Sequence, residues 1–227
     1  MKHLLPLAAL LTSLPLPAQE EPPQAAFLNV VNLITLREPT RFSLGGFRFN
    51  GGEPVPPGEN SGILAIAPGT HTFTIENPAA KPDKITVALT FENGKTMAVI
   101  CYDEVAEAPE GGDEGKVRAR LRHSVLVEGE NLGPRLSLVS LLKVPFASVD
   151  ISGKPVTLIQ RQAHRVEIAL GDAVKIAHGG RVLAEFEIAK PIHYLGFLYE
   201  DPGGGEVGLS LIQNEKLEYQ PPLKDDP

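Results

Sequence analysis

The chain has 227 residues, a formal net charge of −7, 42% hydrophobic residues, one cysteine and no tryptophan. An acidic chain repels phosphate backbones and anionic lipid surfaces, so nucleic acid and such membranes are poor candidate partners. One cysteine makes neither an intrachain disulfide nor a thiolate zinc site, and this length supports one large or two small domains that a hydrophobic core must stabilise.

Residues 1–18 have the order of an export signal. Lys2 provides a weakly basic start, Leu4–Leu16 is a short apolar run, and Ala18 precedes a polar segment. This order predicts a signal peptide cleaved after Ala18, with residues 19–25 as a flexible leader. A buried N-terminal helix is the alternative, but the three prolines of this region argue against it. We therefore expect an exported protein (periplasmic, cell-surface or extracellular) with no transmembrane segment after cleavage.

The rest of the chain alternates short strand signals with turn clusters. Polar and apolar residues alternate in Thr72–Ile75, Val166–Leu170, Glu185–Ile188 and Val207–Leu211. Glycine, proline and asparagine clusters separate such segments. Period-two alternation is typical of strands with one buried face, and many short strands with turns between them indicate β-sandwiches. The sequence predicts an all-β protein.

An internal repeat predicts two related halves. Five segments of the first half match five of the second in the same order: Leu28–Ile34 with Leu136–Leu142, His71–Ile75 with His164–Ile168, Phe91–Lys95 with Phe186–Lys190, Ala98–Glu104 with Leu195–Asp201, and Val117–Leu121 with Val207–Leu211. A repeat in conserved order favours duplication, although one larger sandwich is the alternative. We predict two tandem β-sandwich-like domains at 26–128 and 135–221, followed by a polar tail at 222–227.

The motif Pro68-Gly69-Thr70-His71-Thr72 precedes the strand pair that spans Val87–Phe91 and Ala98–Ile100, with Gly94-Lys95 between. This arrangement resembles a bacterial extracellular repeat family of unknown function. That family pairs a Pro-Gly-x-His-Thr hairpin with a Leu-x-x-Gly-Lys strand pair. The resemblance covers roughly residues 27–102. It implies a secreted or envelope-associated β-sandwich module and brings no catalytic residues.

Two acidic segments are candidate calcium sites. Each follows a tyrosine, and their carboxylates are Asp103, Glu104 and Asp113 in the first half and Glu200 and Asp201 in the second. Clustered carboxylate oxygens can bind Ca²⁺, but neither segment has the twelve-residue spacing of an EF-hand loop. Solvated loops that keep a sheet edge soluble are the alternative.

Other polar and aromatic residues form no evident site. His71 and His164 are predicted repeat equivalents, and each is more simply a histidine that hydrogen-bonds to a turn. Cys101 lies in an apolar run and is predicted to be a buried hydrophobe. Tyr194 and Tyr219 are the freer aromatic candidates for glycan contact, since Tyr102 and Tyr199 lie in core-like strands.

No nucleophile elbow or phosphate-binding loop is present, and no cofactor is predicted. The sequence favours a non-catalytic exported module that binds an envelope or extracellular protein or contributes to a cell-envelope assembly. An exported hydrolase with a dispersed active site and a calcium- or glycan-binding surface module are the alternatives. An uncharged edge strand or an apolar patch would support the first hypothesis. Leu28–Ile34 is a candidate for that edge, or equally for the core.

Overall fold

The computed structural model describes residues 24–106, 118–128, 133–201, 205–214 and 217–219. Within these ranges every regular element is a β-strand, apart from a 3₁₀ turn at Phe49–Gly52. The predicted all-β class is therefore confirmed. No helix of the described part has the length and apolar character needed to span a bilayer.

The strands form two similar halves of two sheets each. In the first half they are β1 (Ala26–Leu33), β2 (Arg41–Leu44), β3 (Phe47–Arg48), β4 (Leu64–Ile66), β5 (Gly69–Glu76), β6 (Lys84–Phe91), β7 (Thr96–Ala106) and β8 (Arg118–Glu128). In the second half they are β9 (Arg135–Ser140), β10 (Phe146–Ile151), β11 (Lys154–Ile159), β12 (Ala163–Val166), β13 (Ala173–His178), β14 (Arg181–Glu187), β15 (His193–Glu200) and β16 (Val207–Asn214), followed by β17 (Leu217–Tyr219).

Each half has an inner and an outer sheet. The inner sheets have the strand orders β8-β7-β1-β4 and β12-β9-β15-β16, and each contains one parallel pair, β1 with β7 and β9 with β15. The outer sheets, β3-β2-β5-β6 and β11-β10-β13-β14, are antiparallel. One apolar core lies between the two sheets of each half. The prediction of two β-sandwich-like units is confirmed.

The inner strands are buried on both faces, which explains their composition. β1 and β15 are almost continuously buried, whereas β10 alternates buried and more exposed residues. Parallel strands covered on both sides have long apolar runs, and outer strands need only one apolar face. Leu28–Ile34 thus belongs to the core, because β1 lies between β7 and β4.

Strand registers support two of the predicted repeat matches. Val31 pairs with Ile100, and their counterparts Val139 and Phe197 pair in the same parallel register.

The hairpin β2–β3 turns at Gly45-Gly46 and its counterpart β10–β11 turns at Ser152-Gly153, with positive φ at all four residues. Such φ values are those of a two-residue type I′ turn.

The other three matches are wrong. The match of Phe91 with Phe186 is displaced by two residues, because His71 pairs with Leu89 while its counterpart Val174 pairs with Phe186. His71 lies in β5 of an outer sheet, whereas His164 lies in β12 of an inner sheet, where its strand corresponds to β4. The β8–β16 match is displaced by four residues, because Tyr102 pairs with Arg122 while its counterpart Tyr199 pairs with Gly208. Alternating strands resemble one another, and this similarity produced all three errors.

A third apolar cluster joins the halves. It contains Val31, Leu33, Ala98, Ile100, Tyr102 and Leu126 from the first inner sheet, with Val139, Leu141, Leu195, Phe197, Tyr199 and Ile212 from the second. The strand registers make these six pairs of equivalent positions. An interface made by the same patch on both sides is the signature of two-fold symmetry. We call this cluster the inter-half core.

The final strand crosses back to the first half. β17 pairs with β8 through Leu217 opposite Glu128 and Tyr219 opposite Leu126, which extends the first inner sheet to five strands. The halves are therefore connected by strand pairing as well as by the inter-half core. Residues 1–23, 129–132 and 220–227 lie outside the described residues, so the signal peptide and the domain bounds stay predictions.

Candidate functional site

The predicted acidic residues Asp103 and Glu200 converge on one lysine. Lys143 Nζ lies 3.1 Å from Asp103 Oδ2 and 3.6 Å from Glu200 Oε2. Asp103 is buried near the end of β7, and its Oδ1 accepts hydrogen bonds from the Thr35 backbone N–H at 2.6 Å and the Thr35 hydroxyl at 3.0 Å. A buried carboxylate is tolerable only when it is paired, and Lys143 with Thr35 supplies that pairing.

Glu104 links both halves through two arginines. Its Oε1 accepts from Arg122 Nε at 2.6 Å within the first half, and its Oε2 accepts from Arg161 Nη1 of the second half at 2.8 Å. We call Asp103, Glu104, Arg122, Lys143, Arg161 and Glu200 the ion-pair cluster. Its three carboxylates face three cations, so its formal charges balance.

This pairing changes the interpretation of the calcium candidates. The Lys143 ammonium occupies the space between Asp103 and Glu200 that a shared cation would need. Asp201 follows β15, and its backbone N–H donates to Glu206 O at 2.6 Å. Asp113 lies outside the described residues. No group of three or more His, Cys, Asp or Glu side chains within the described part is placed to hold a metal ion.

The histidines lie in separate environments. His71 Nε2 lies 2.8 Å from Ala67 O, next to the Pro68-Gly69 turn, and His178 Nδ1 lies 2.8 Å from Ser148 O. His193 is buried with its Nε2 2.8 Å from Ser137 Oγ. A hydrogen bond of His71 to a turn is the simpler interpretation of its sequence position. His3 lies outside the described residues.

The aromatic candidates for glycan contact are not supported. Tyr194 is buried in the second core, where its ring stacks on Phe186 at a centroid distance of 5.6 Å, so the prediction that it is free is wrong. The side chain of Tyr219 is outside the described part. Tyr102 and Tyr199 pack in the inter-half core as expected, and burial raises the pKa of both phenols. A nearby Asp201 raises that of Tyr199 further.

Cys101 is a core residue. It is fully buried in the first core, and burial raises the pKa of its thiol well above the usual value. A thiol without access to solvent and held in its neutral form is a poor nucleophile. The predicted role as a small buried hydrophobe is confirmed.

The open edge of the first outer sheet is the most distinctive surface of the described chain. β6 is the last strand of that sheet, and its seven residues Ile85–Phe91 carry no charge. Asn77 N donates to Asp83 O at 2.8 Å, so these two residues form a hydrogen-bonded pair. Hydrogen-bonded and non-hydrogen-bonded pairs alternate from there along the antiparallel β5–β6 ladder. Residues 85, 87, 89 and 91 therefore bond to β5, while the N–H and C=O groups of Lys84, Thr86, Ala88 and Thr90 point away from it.

The equivalent edge of the second half is different. β14 is also the last strand of its outer sheet, but Glu185 and Glu187 are exposed along it. The opposite edge strand of that sheet, β11, has Pro155 and only six residues. Charged residues and proline protect sheet edges against pairing with other strands. β6 lacks both from Ile85 to Phe91.

A depression of about 200 Å³ lies at the end of this edge. It is lined by Thr90 and Phe91 of β6, the turn residues Glu92 and Lys95, and Thr96, Met97 and Val127 of the inner sheet. The depression can receive an apolar side chain from a strand that pairs with β6. The sequence prediction placed the candidate edge at Leu28–Ile34 and missed β6, although its uncharged run between Lys84 and Glu92 was the available signal.

Two comparisons with known proteins found no match. No protein-family model matches the chain, and no curated protein shows a significant match. The resemblance to an extracellular repeat family stays a prediction.

Proposed function

We propose that the chain is an exported, non-catalytic module that binds a protein partner or contributes to a cell-envelope assembly, and that the edge of β6 is where it binds. The observation that carries this proposal is the edge itself. Four alternate residues of β6 direct their backbone N–H and C=O groups away from β5, and these groups have no strand partner in the described part of the chain. An extended segment can add to such an edge through main-chain hydrogen bonds, while pockets beside the edge select its side chains.

Export is supported by residues 1–18, and the binding role by the contrast between β6 and β14. The edge of β14 is protected by charge, so an unprotected β6 is a difference between two otherwise similar halves. A long uncharged edge is an aggregation hazard unless it is covered by a partner. A protein strand is the occupant that satisfies both the backbone groups and the depression near Phe91.

The test is site-specific photo-crosslinking in cells that export the chain. A photoreactive residue replaces Ala88 on β6 or, as the matched control, Thr157, which is exposed on the edge strand β11. We expect a defined crosslinked protein from position 88 in the envelope fraction and none from position 157. Adding Thr86→Pro should abolish the crosslink, because proline removes an outward N–H without removing a bond to β5. Recovery of only the free chain from position 88 would refute the proposal.

Localisation is tested on the same material. We expect the chain in the periplasmic or extracellular fraction, with an N-terminus beginning at Gln19. An intact N-terminus in the cytoplasmic fraction would contradict export.

A further inference from the structure

The sequence of β6 is complementary to itself. In an antiparallel pair of two copies with a two-fold axis at Ala88, Thr86 lies opposite Thr90 of the second copy, because each is two residues from the axis. Lys84 likewise lies opposite Glu92 of the second copy, because each is four residues away; within its own chain its Nζ also lies 2.8 Å from Glu76 Oε1. All five residues are exposed. Lys84, Thr86, Ala88 and Thr90 alternate along β6 and so share one face of the sheet, and Glu92 directly follows the strand.

The backbone alternation allows this arrangement. Thr86, Ala88 and Thr90 all direct their N–H and C=O groups away from β5, so each can form a hydrogen-bonded pair with its counterpart. The pairing would join the two outer sheets into one continuous sheet across the axis. Opposite charges and threonine pairs that face each other across antiparallel strands stabilise such a register.

The inner face of β6 is also complementary. Ile85 and Val87 are only half-buried at the edge of the first core. The same two-fold axis places Ile85 of the second copy opposite Phe91, next to the depression of about 200 Å³. Phe91 is already buried, so association would cover the partly exposed Ile85 at each end of the paired strands.

We infer that the occupant of the β6 edge is a second copy of this chain, which binds through antiparallel β6–β6 pairing with Ala88 on the two-fold axis. This inference rests on the proposed function, in which β6 is the binding edge. An interface of one strand pair is smaller than a standard protein interface, so we expect a dissociation constant in the micromolar range, on the order of 10 µM.

Sedimentation velocity on the purified full chain, from about 1 to 100 µM, tests the inference. We expect a monomer–dimer equilibrium that Ala88→Pro weakens at least about tenfold. Thr157→Pro, the matched substitution on the edge of β11, should leave it unchanged. Ala88→Glu is a second variant that adds no backbone constraint and weakens the dimer by placing like charges opposite each other on the axis. A chain that stays monomeric over this range, or a dimer insensitive to both Ala88 variants, would overturn the inference.

Charge exchange and cysteine pairing test the register. Glu92→Lys should weaken the dimer roughly tenfold, and Lys84→Glu in the same chain should restore part of the loss, because opposite charges face each other again although position 84 also lies beside Glu76. Air oxidation should link Ala88→Cys to itself, since paired residues lie about 5.5 Å apart between Cα atoms. Thr86→Cys should link to Thr90→Cys in a mixture, but neither to itself. The reverse result would refute this register.

The cellular crosslink separates the two proposals. A crosslink from position 88 to another copy of the chain supports both. A crosslink to a different envelope protein overturns self-pairing and leaves the proposed function standing. Absence of any crosslink removes both.

Discussion

Removal of Lys143 should destabilise the protein far more than removal of an exposed lysine with a shorter ion pair. The Asp103 side chain is 1% exposed and that of Lys143 is 29% exposed, whereas Lys84 and Glu76 are 56% and 47% exposed at a separation of 2.8 Å. Breaking a buried pair by removing one partner costs about 3–5 kcal/mol, and an exposed pair contributes about 0–1 kcal/mol.

The loss of stability expected for Lys143→Met lies below the value of about 3–5 kcal/mol for a fully buried pair. Asp103 keeps its two hydrogen bonds from Thr35, and Lys143 is partly solvated, so we expect a loss of about 2 kcal/mol in the free energy of unfolding. That corresponds to a melting temperature lower by about 4–8 °C for a chain of this size. Lys84→Met should cost less than about 0.5 kcal/mol.

Urea denaturation measures both values. The double variant Asp103→Asn with Lys143→Met should recover part of the loss, because it removes the uncompensated charge while Asn still accepts from Thr35. Equal effects of Lys143→Met and Lys84→Met, or no recovery in the double variant, would refute the argument that burial of Asp103 sets the value of this pair.

Three further outcomes are expected. The free energy of unfolding should fall as the pH rises above about 10, because the phenols of the buried Tyr102 and the half-buried Tyr199 have raised pKa values in the folded protein and ionise more readily in the unfolded chain. Tyr102→Phe should flatten this dependence in urea titrations at pH 8 to 11, and an unchanged slope would contradict it. Phe197→Ala leaves a cavity in the inter-half core and should lower the free energy of unfolding by about 3–5 kcal/mol. Calorimetry should show one unfolding transition for both halves. Two separate transitions would show that the halves unfold independently. Gly58→Ala should lower the free energy of unfolding by at least about 1 kcal/mol, since Gly58 has φ of 85° and a Cβ there would overlap Tyr199. In a double-variant cycle, Tyr199→Ala should relieve the overlap. Additive losses of stability in the two single variants would argue against this contact.

The sequence was sufficient for the fold class and for the inner strands. β1 and β9 are buried on both faces, so apolar residues occur at successive positions (Val30 and Val31, Leu138 and Val139), and their match is confirmed in the structure. The match of His71 with His164 failed because one-sided strands share the same alternation, and the three-residue β4 is too short to give a signal.

The ion-pair cluster was only half predictable. Asp103 and Glu104 were singled out because adjacent carboxylates are visible in the sequence. Their partners Lys143 and Arg161 are single cations distant along the chain, and only the packing of the two halves brings them together. The uncharged run of β6 is equally visible, but its position at an edge depends on strand order, which local patterns do not specify.

The inter-half core is symmetric in position but not in side-chain size. At two of the six equivalent pairs, Ala98 and Ile100 in the first half correspond to the larger Leu195 and Phe197 in the second, whereas the other four pairs are similar in size. Two large faces would be overpacked and two small faces would leave cavities, and each costs stability. When two equivalent faces belong to one chain, their side chains can differ in size at equivalent positions, so that the larger ones of one face complement the smaller ones of the other.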